Sequence, residues 1–172
     1  SQLFEQMLAQ ADRVFAELRP GIVVFLRGPA VIARIFARRI FVIGVVIAVG
    51  GLAIAVGGAL GSLARHFLSS GIYGATGTTF PWGILAVNVL GGFVMGLIVE
   101  LGALKLNYSP EMRAFLTTGI LGGFTTFSTF SLDTALLIER GEWFSAALYM
   151  IASVVLSVGA LFAGLWLVRA AA

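Results

Sequence analysis

Four charge-free runs take up most of the chain: Ile40 to Ala64, Phe80 to Val99, Ala114 to Leu132 and Trp143 to Val168. Each is close to the roughly 20 apolar residues that a helix needs to cross a bilayer. The pattern therefore predicts an all-α integral membrane protein with four transmembrane helices. Upstream, Leu3, Phe4, Met7, Leu8, Ala11, Val14, Phe15 and Leu18 recur at helical spacing until Pro20-Gly21 ends the pattern. That predicts an amphipathic helix lying on a membrane surface or against a partner helix. Ile22 to Ala37 is apolar but interrupted by Arg27, Gly28-Pro29 and Arg34, which predicts a segment too broken to span. Residues 1–39 read as a basic, interfacial extension and residues 40–172 as the four-span domain.

Within the spans, glycines fall four apart at Gly57 and Gly61, Gly92 and Gly96, and Gly119 and Gly123. This spacing lets helix backbones touch where lipid offers no hydrophobic drive. Ser109-Pro110-Glu111 marks the start of the third span, with a capping side chain, a proline and an acid in the first turn. Trp82 and Trp143 sit at span ends, where aromatic belts form. Residues 40–104 and 110–169 share no motif, so any two-fold relation must come from two chains meeting rather than from an inverted repeat.

Composition agrees: 59% of residues are hydrophobic and 11% charged, with a mean hydropathy of +1.03. Little aqueous domain is left over. The absence of cysteine removes disulfides and thiolate metal sites. The net charge of +3 is no nucleic-acid signal, because six of the eleven basic residues precede the first span. Of the rest, Lys105, Arg113 and Arg169 share one membrane face and Arg65 and Arg140 the other. Three against two suits a chain inserting in both orientations, and suits equally an ordinary small protein with a weak orientation bias.

The candidate chemistry lies in "GGFTTFSTFS", residues 122–131, inside the third run. Hydrocarbon satisfies no backbone polar group, so a helix broken at membrane depth must be buried or line a polar cavity. Gly122-Gly123 followed by Thr125-Thr126 suits such a break, and its freed carbonyls could bind a cation. Hydroxyls bonding back to the preceding turn of an unbroken helix suit the same letters. Phe127 and Phe130 share a helix face, with Ser128, Thr129 and Ser131 interleaved. Turned edge-on, phenyl rings can hold a small anion; packed together, they are ordinary core. Asn88 is the only amide of the second span, and Tyr149, Ser153 and Ser157 recur every four residues along the fourth. Polar groups in spans face bundle interiors or pathways. No acid or base lies among them, so we expect no enzyme and instead a path along which a small anion sheds water gradually. Asp133 and Arg65 sit at span ends, as vestibule charges or as interfacial anchors. His66, the single histidine, has no second ligand nearby and reads as interfacial.

The set "GGALGSLARHF", "FPWGILAVNVLGG", "TTGILGGFTTFSTFS" and "LDTALLIERGEW", in this order, resembles the Fluc/CrcB fluoride channels from about Ile47 to the C-terminus. The resemblance implies an antiparallel, dual-topology homodimer in the cell membrane, with two pores passing fluoride passively and selectively. It implies that Phe127 and Phe130 line the pores and that Asn88 is the pore asparagine. Tyr149, Ser153 and Ser157 fall on the hydroxyl track, accompanied by Thr129. Asp133 stands where the family usually has a glutamate, and Arg65 where it has a vestibule arginine. It also implies a central structural sodium ion (Na+) held by the backbone carbonyls of Gly122 and Thr125. The third helix would then be broken mid-membrane. Two features depart from the family pattern: Ile84 replaces a threonine common in relatives, and the first forty residues have no counterpart in its short members. Two other functions fit the length and span count, a small dual-topology proton-coupled cation exporter and a non-conducting assembly subunit. The exporter needs a membrane-buried carboxylate, whereas Glu100 and Asp133 lie only at span ends.

Overall fold

The computed structural model describes Gln6, residues 29–77 and residues 79–172, with side chains from Phe36 onward. The predicted amphipathic helix over residues 3–18 lies outside the described residues, apart from the helical Gln6. The chain divides into two compact units, up to Ile47 and from Ala48 to Ala172. In the first, the described residues are helical, and Phe36, Ile40 and Phe41 are exposed.

All regular structure among the described residues is helical: α1 (Pro29–Thr76), α2 (Trp82–Leu101), α3 (Pro110–Arg113), α4 (Gly122–Phe124), α5 (Phe127–Glu139) and α6 (Trp143–Ala170). A π-helical turn, Gly102–Leu106, extends α2, and a π-helical stretch, Ala114–Leu121, joins α3 to α4. Among the described residues three helices, not the four expected, are long and apolar enough to cross a membrane: Phe36–Thr76, Trp82–Leu106 and Trp143–Ala170.

Two boundaries differ from the sequence expectation. Helix α1 starts at Pro29 and runs unbroken through Arg34, Arg38 and Arg39 to Thr76. A proline suits the first helical turn and arginine is a good helix former, so these residues interrupt the apolar run without interrupting the helix. Arg65 consequently sits eleven residues before the end of α1, not at its terminus. The run Ala114 to Leu132 forms no single helix, because Thr125 (φ −76°, ψ 156°) and Thr126 (φ −152°, ψ 121°) are extended. Its predicted start is as expected: the Ser109 side chain accepts from the Met112 amide at 3.2 Å, with Pro110 in the first turn.

All six glycines of the four-apart pairs meet backbone of another element. In the second unit, Gly57 and Gly61 of α1 face Gly119 and Ile120, and Gly123 faces Gly58; on the other side, Gly92 and Gly96 of α2 face Ser157 and Leu161 of α6. A Cβ on Gly123 would lie 2.5 Å from the Gly58 carbonyl oxygen, and one on Gly61 would strike the Ile120 carbonyl. Backbone cannot swing aside as a side chain does, so Gly61→Ala should destabilise the fold by about 1–3 kcal/mol. Thermal unfolding in detergent measures this, and an unchanged Tm would contradict the close approach.

At the far end of α2 the Glu100 carboxylate accepts from Arg169 Nε at 2.8 Å and Nη2 at 3.1 Å, a bidentate clasp onto the last turn of α6. The small core contains Leu85, Leu137, Ala146 and Tyr149, with Phe80 and Phe130 packed against it.

Candidate functional site

Helix α4 ends where the Thr126 amide turns away from its helical acceptor, while the Thr125 amide still donates to the Leu121 carbonyl at 3.0 Å. In an unbroken helix the Thr126 N–H would donate to the Gly122 carbonyl. Here it donates to Asn88 Oδ1 at 2.9 Å, while Asn88 Nδ2 donates to the Thr126 carbonyl at 3.2 Å. The Asn88 amide thus supplies, from α2, the acceptor that the interruption takes from the Thr126 N–H, and adds a second donor to the Thr126 carbonyl, which as N-cap also opens the hydrogen bonding of α5. Its second Nδ2 hydrogen remains for another acceptor. The Thr126 hydroxyl then caps α5: it accepts from the Thr129 amide at 3.3 Å and donates to the Thr129 hydroxyl at 3.1 Å.

Polar groups from α1 meet the break from the opposite side. Ser62 Oγ donates to the Gly123 carbonyl and Arg65 Nη1 to the Thr125 carbonyl, each at 3.4 Å. Gly91, one turn beyond Asn88, has no side chain to keep α2 away from Thr125 and Phe124. The two sequence alternatives are a break and an unbroken helix with back-bonding hydroxyls; the helix is interrupted, and back-bonding hydroxyls accompany the interruption. The backbone breaks at Thr125-Thr126, and the hydroxyls of Thr125, Ser131 and Thr134 also bond back to the carbonyl four residues earlier.

Beyond the break, Phe127 and Phe130 lie with ring centroids 5.4 Å apart, and Phe130 is 5.2 Å from the Tyr149 ring. The pair is not equivalent: Phe130 packs on the core, whereas Phe127 is 78% exposed. Both line a groove of about 370 Å³ together with Asn88, Thr126, Ser153 and Ser157. None of the residues lining this groove is charged. The Ser153 and Ser157 hydroxyl oxygens are buried and have no hydrogen-bond partner among the described residues. Buried hydroxyls are nearly always paired, so two unpaired ones on one face of α6 point to a ligand they can serve. Tyr149, the next member of the stripe, is fully buried and its hydroxyl donates to Asp133 Oδ2 at 3.4 Å.

The structure therefore brings Asn88, Phe127, Phe130, Ser153 and Ser157 to one groove, connects Thr129 to it through Thr126, and sets Tyr149 against Phe130 with its hydroxyl on Asp133, both outside the groove lining. Arg65 contacts the break itself. Gly122 and Thr125 flank the point where helicity stops. His66 is exposed, with its ring 5.5 Å from Phe67. Sequence reasoning missed the central part taken by Thr126, although a threonine three residues before Thr129 is a recognisable N-cap signal.

Apolar helices joined by backbone-to-backbone glycine contacts, beside an uncharged and largely apolar groove, define a multi-pass membrane protein. The chain belongs to the CrcB family: the family model described as "CrcB-like protein, Camphor Resistance (CrcB)" matches residues 52–165. It is 55% identical to the fluoride-specific ion channel FluC of Rhodospirillum centenum over 120 residues, covering 70% of this chain and 95% of that one. The protein of the same name from Nitrobacter winogradskyi is 56% identical over 118 residues, 69% of this chain and 94% of that one. That from Geobacter sulfurreducens is 52% identical over 118 residues, 69% and 95% respectively.

Proposed function

We propose that this protein is a passive fluoride channel of the cell membrane. The observation that carries the reading is the pair of buried, unpartnered hydroxyls, Ser153 and Ser157, set in an uncharged groove beside Phe127, Phe130 and Asn88. A small anion entering hydrocarbon loses hydration, and ionic groups buried without replacement contacts are very costly. Hydroxyl hydrogens, the free Asn88 Nδ2 hydrogen and the positive edges of phenyl rings supply replacements step by step. None of them carries a full positive charge, so none would trap the ion. Relatives more than half identical that bear the name of fluoride channels support the same reading.

The groove is bounded on its outer side by the exposed Phe127, Val154 and Val158. A second copy laid antiparallel over this face would close the groove, and the two-fold relation would produce two pores. The extended Thr125-Thr126 pair would then lie at mid-bilayer, as a fourth, interrupted span. We assign the Gly122 and Thr125 carbonyls to a structural sodium ion. Diversion of the Thr126 amide to Asn88 takes away the helical donor of the Gly122 carbonyl, and unwound carbonyls are suitable sodium ligands. The Thr125 carbonyl shares its electron density with Arg65, and the ion would need further oxygens from the second copy. When bound, the ion supplies fixed positive charge that holds the two breaks together. Residues 1–39 remain assigned to an interfacial extension, preceding a channel domain at 40–172.

The exporter reading loses support at Glu100, whose carboxylate is clasped by Arg169 rather than free to exchange a proton for cargo. Purified protein in fluoride-loaded liposomes, with a fluoride electrode outside and potassium-valinomycin to dissipate charge, decides between the three functions. We expect fast efflux that requires valinomycin and is unaffected by a proton gradient. Efflux coupled to pH would favour the exporter, and no efflux the assembly subunit.

A further inference from the structure

The donor stripe of α6 leads to an acid. Past Ser157 and Ser153 comes Tyr149, whose hydroxyl donates to Asp133, so an anion following the stripe inward meets a carboxylate. On the other side of Asp133 a second cavity opens, of about 400 Å³, with Tyr73, Thr79, Asp133 and Arg140 among its lining. Tyr73 belongs to the last turn of α1 and is half-buried. Its ring lies against the first turn of α2 because residue 83 is glycine: a Cβ there would be 2.9 Å from Tyr73 Cε2. The Ile84 backbone lies beside the Tyr73 hydroxyl, and Asp133 is near enough to act electrostatically on both the Tyr73 and Tyr149 phenols. The side chain of Ile84, apolar and only 4% exposed, offers no donor of its own.

We propose that Tyr73 is a pathway residue: its hydroxyl, seated by Gly83, continues the donor stripe beyond Asp133 and is the first neutral donor an anion meets from the second cavity. This inference rests on the fluoride-channel reading. Arg140, exposed at the same cavity, offsets the Asp133 charge and gathers anions there. Tyr73 then offers a neutral hydrogen bond past the carboxylate, and Tyr149 and the two serines take over.

Tyr73→Phe keeps the ring on Gly83 and removes only the donor. In the liposome assay it should lower fluoride efflux about three- to tenfold, the worth of one hydrogen bond, with a larger loss at low than at saturating fluoride. The variant should elute and unfold like the wild type. Placing 4-aminophenylalanine at position 73 restores a donor on the same ring and should restore efflux, whereas Thr79→Val, at an exposed wall of the cavity, should stay near wild type. Wild-type conduction with an unchanged Tyr73→Phe variant would overturn the assignment of Tyr73 alone. A loss that 4-aminophenylalanine does not repair would show a packing role and overturn it too. A wild type that passes no fluoride would instead overturn the channel reading beneath it.

Discussion

Phe130→Ile should cut fluoride efflux by about two- to twelvefold while leaving the purified protein folded. The ring is wedged between Phe127 at 5.4 Å and Tyr149 at 5.2 Å, at the point where the groove meets the core. Isoleucine fills similar volume but has no quadrupole, so it cannot turn a positive edge toward a dehydrated anion. The loss of that edge, about 0.5–1.5 kcal/mol per ring contact, acts where the fewest alternative donors are within reach. Phe127→Ile should act in the same direction. Efflux through reconstituted liposomes, paired with thermal unfolding, separates conduction from folding. Undiminished efflux in both variants would remove the rings from the mechanism and leave them as ordinary packing.

Asn88→Ala should harm the protein in two ways at once. It deletes the acceptor of the Thr126 amide and one donor to the Thr126 carbonyl, leaving the main-chain N–H of a residue only 8% exposed without a partner. At about 1–3 kcal/mol for such a group, the expected destabilisation is about 1–3 kcal/mol, larger than for an ordinary surface change. Efflux should fall further, because the free Nδ2 hydrogen is lost from the groove as well. Asn88→Asp separates the two effects. It preserves an acceptor for the Thr126 amide, so stability should partly return, yet a carboxylate facing the groove repels an anion and efflux should stay low. A stable, fully conducting Asn88→Ala protein would show that the break supports itself and that the amide is incidental.

Three of the four expected spans were legible because charge-free runs of bilayer length admit little else, and the glycine pairs because their four-residue spacing recurs three times. The boundaries of α1 were not legible from the apolar pattern: Arg34, Arg38 and Arg39 interrupt hydropathy but suit a helix. For the candidate site, residue types on one helix face were enough to collect Phe127, Phe130, Ser153 and Ser157. They could not decide whether residues 122–131 break or continue. That depends on an amide 38 positions earlier in the chain, and a local pattern carries no information about such a partner. The clasp between Glu100 and Arg169 was hidden for the same reason, since each alone reads as an end-of-span anchor. Tyr73 escaped notice because its position depends on the missing side chain of Gly83.

The way Asn88 fills the gap in the helix has a bearing on heat and rate. A gap held shut by a fixed amide, between glycine faces that already touch, leaves no slack at the break itself. The lost hydration of the ion would then be offset by donors already in place, and throughput would require no shape change of the protein. Its variation with temperature should accordingly be shallow, closer to that of diffusion than to that of a carrier.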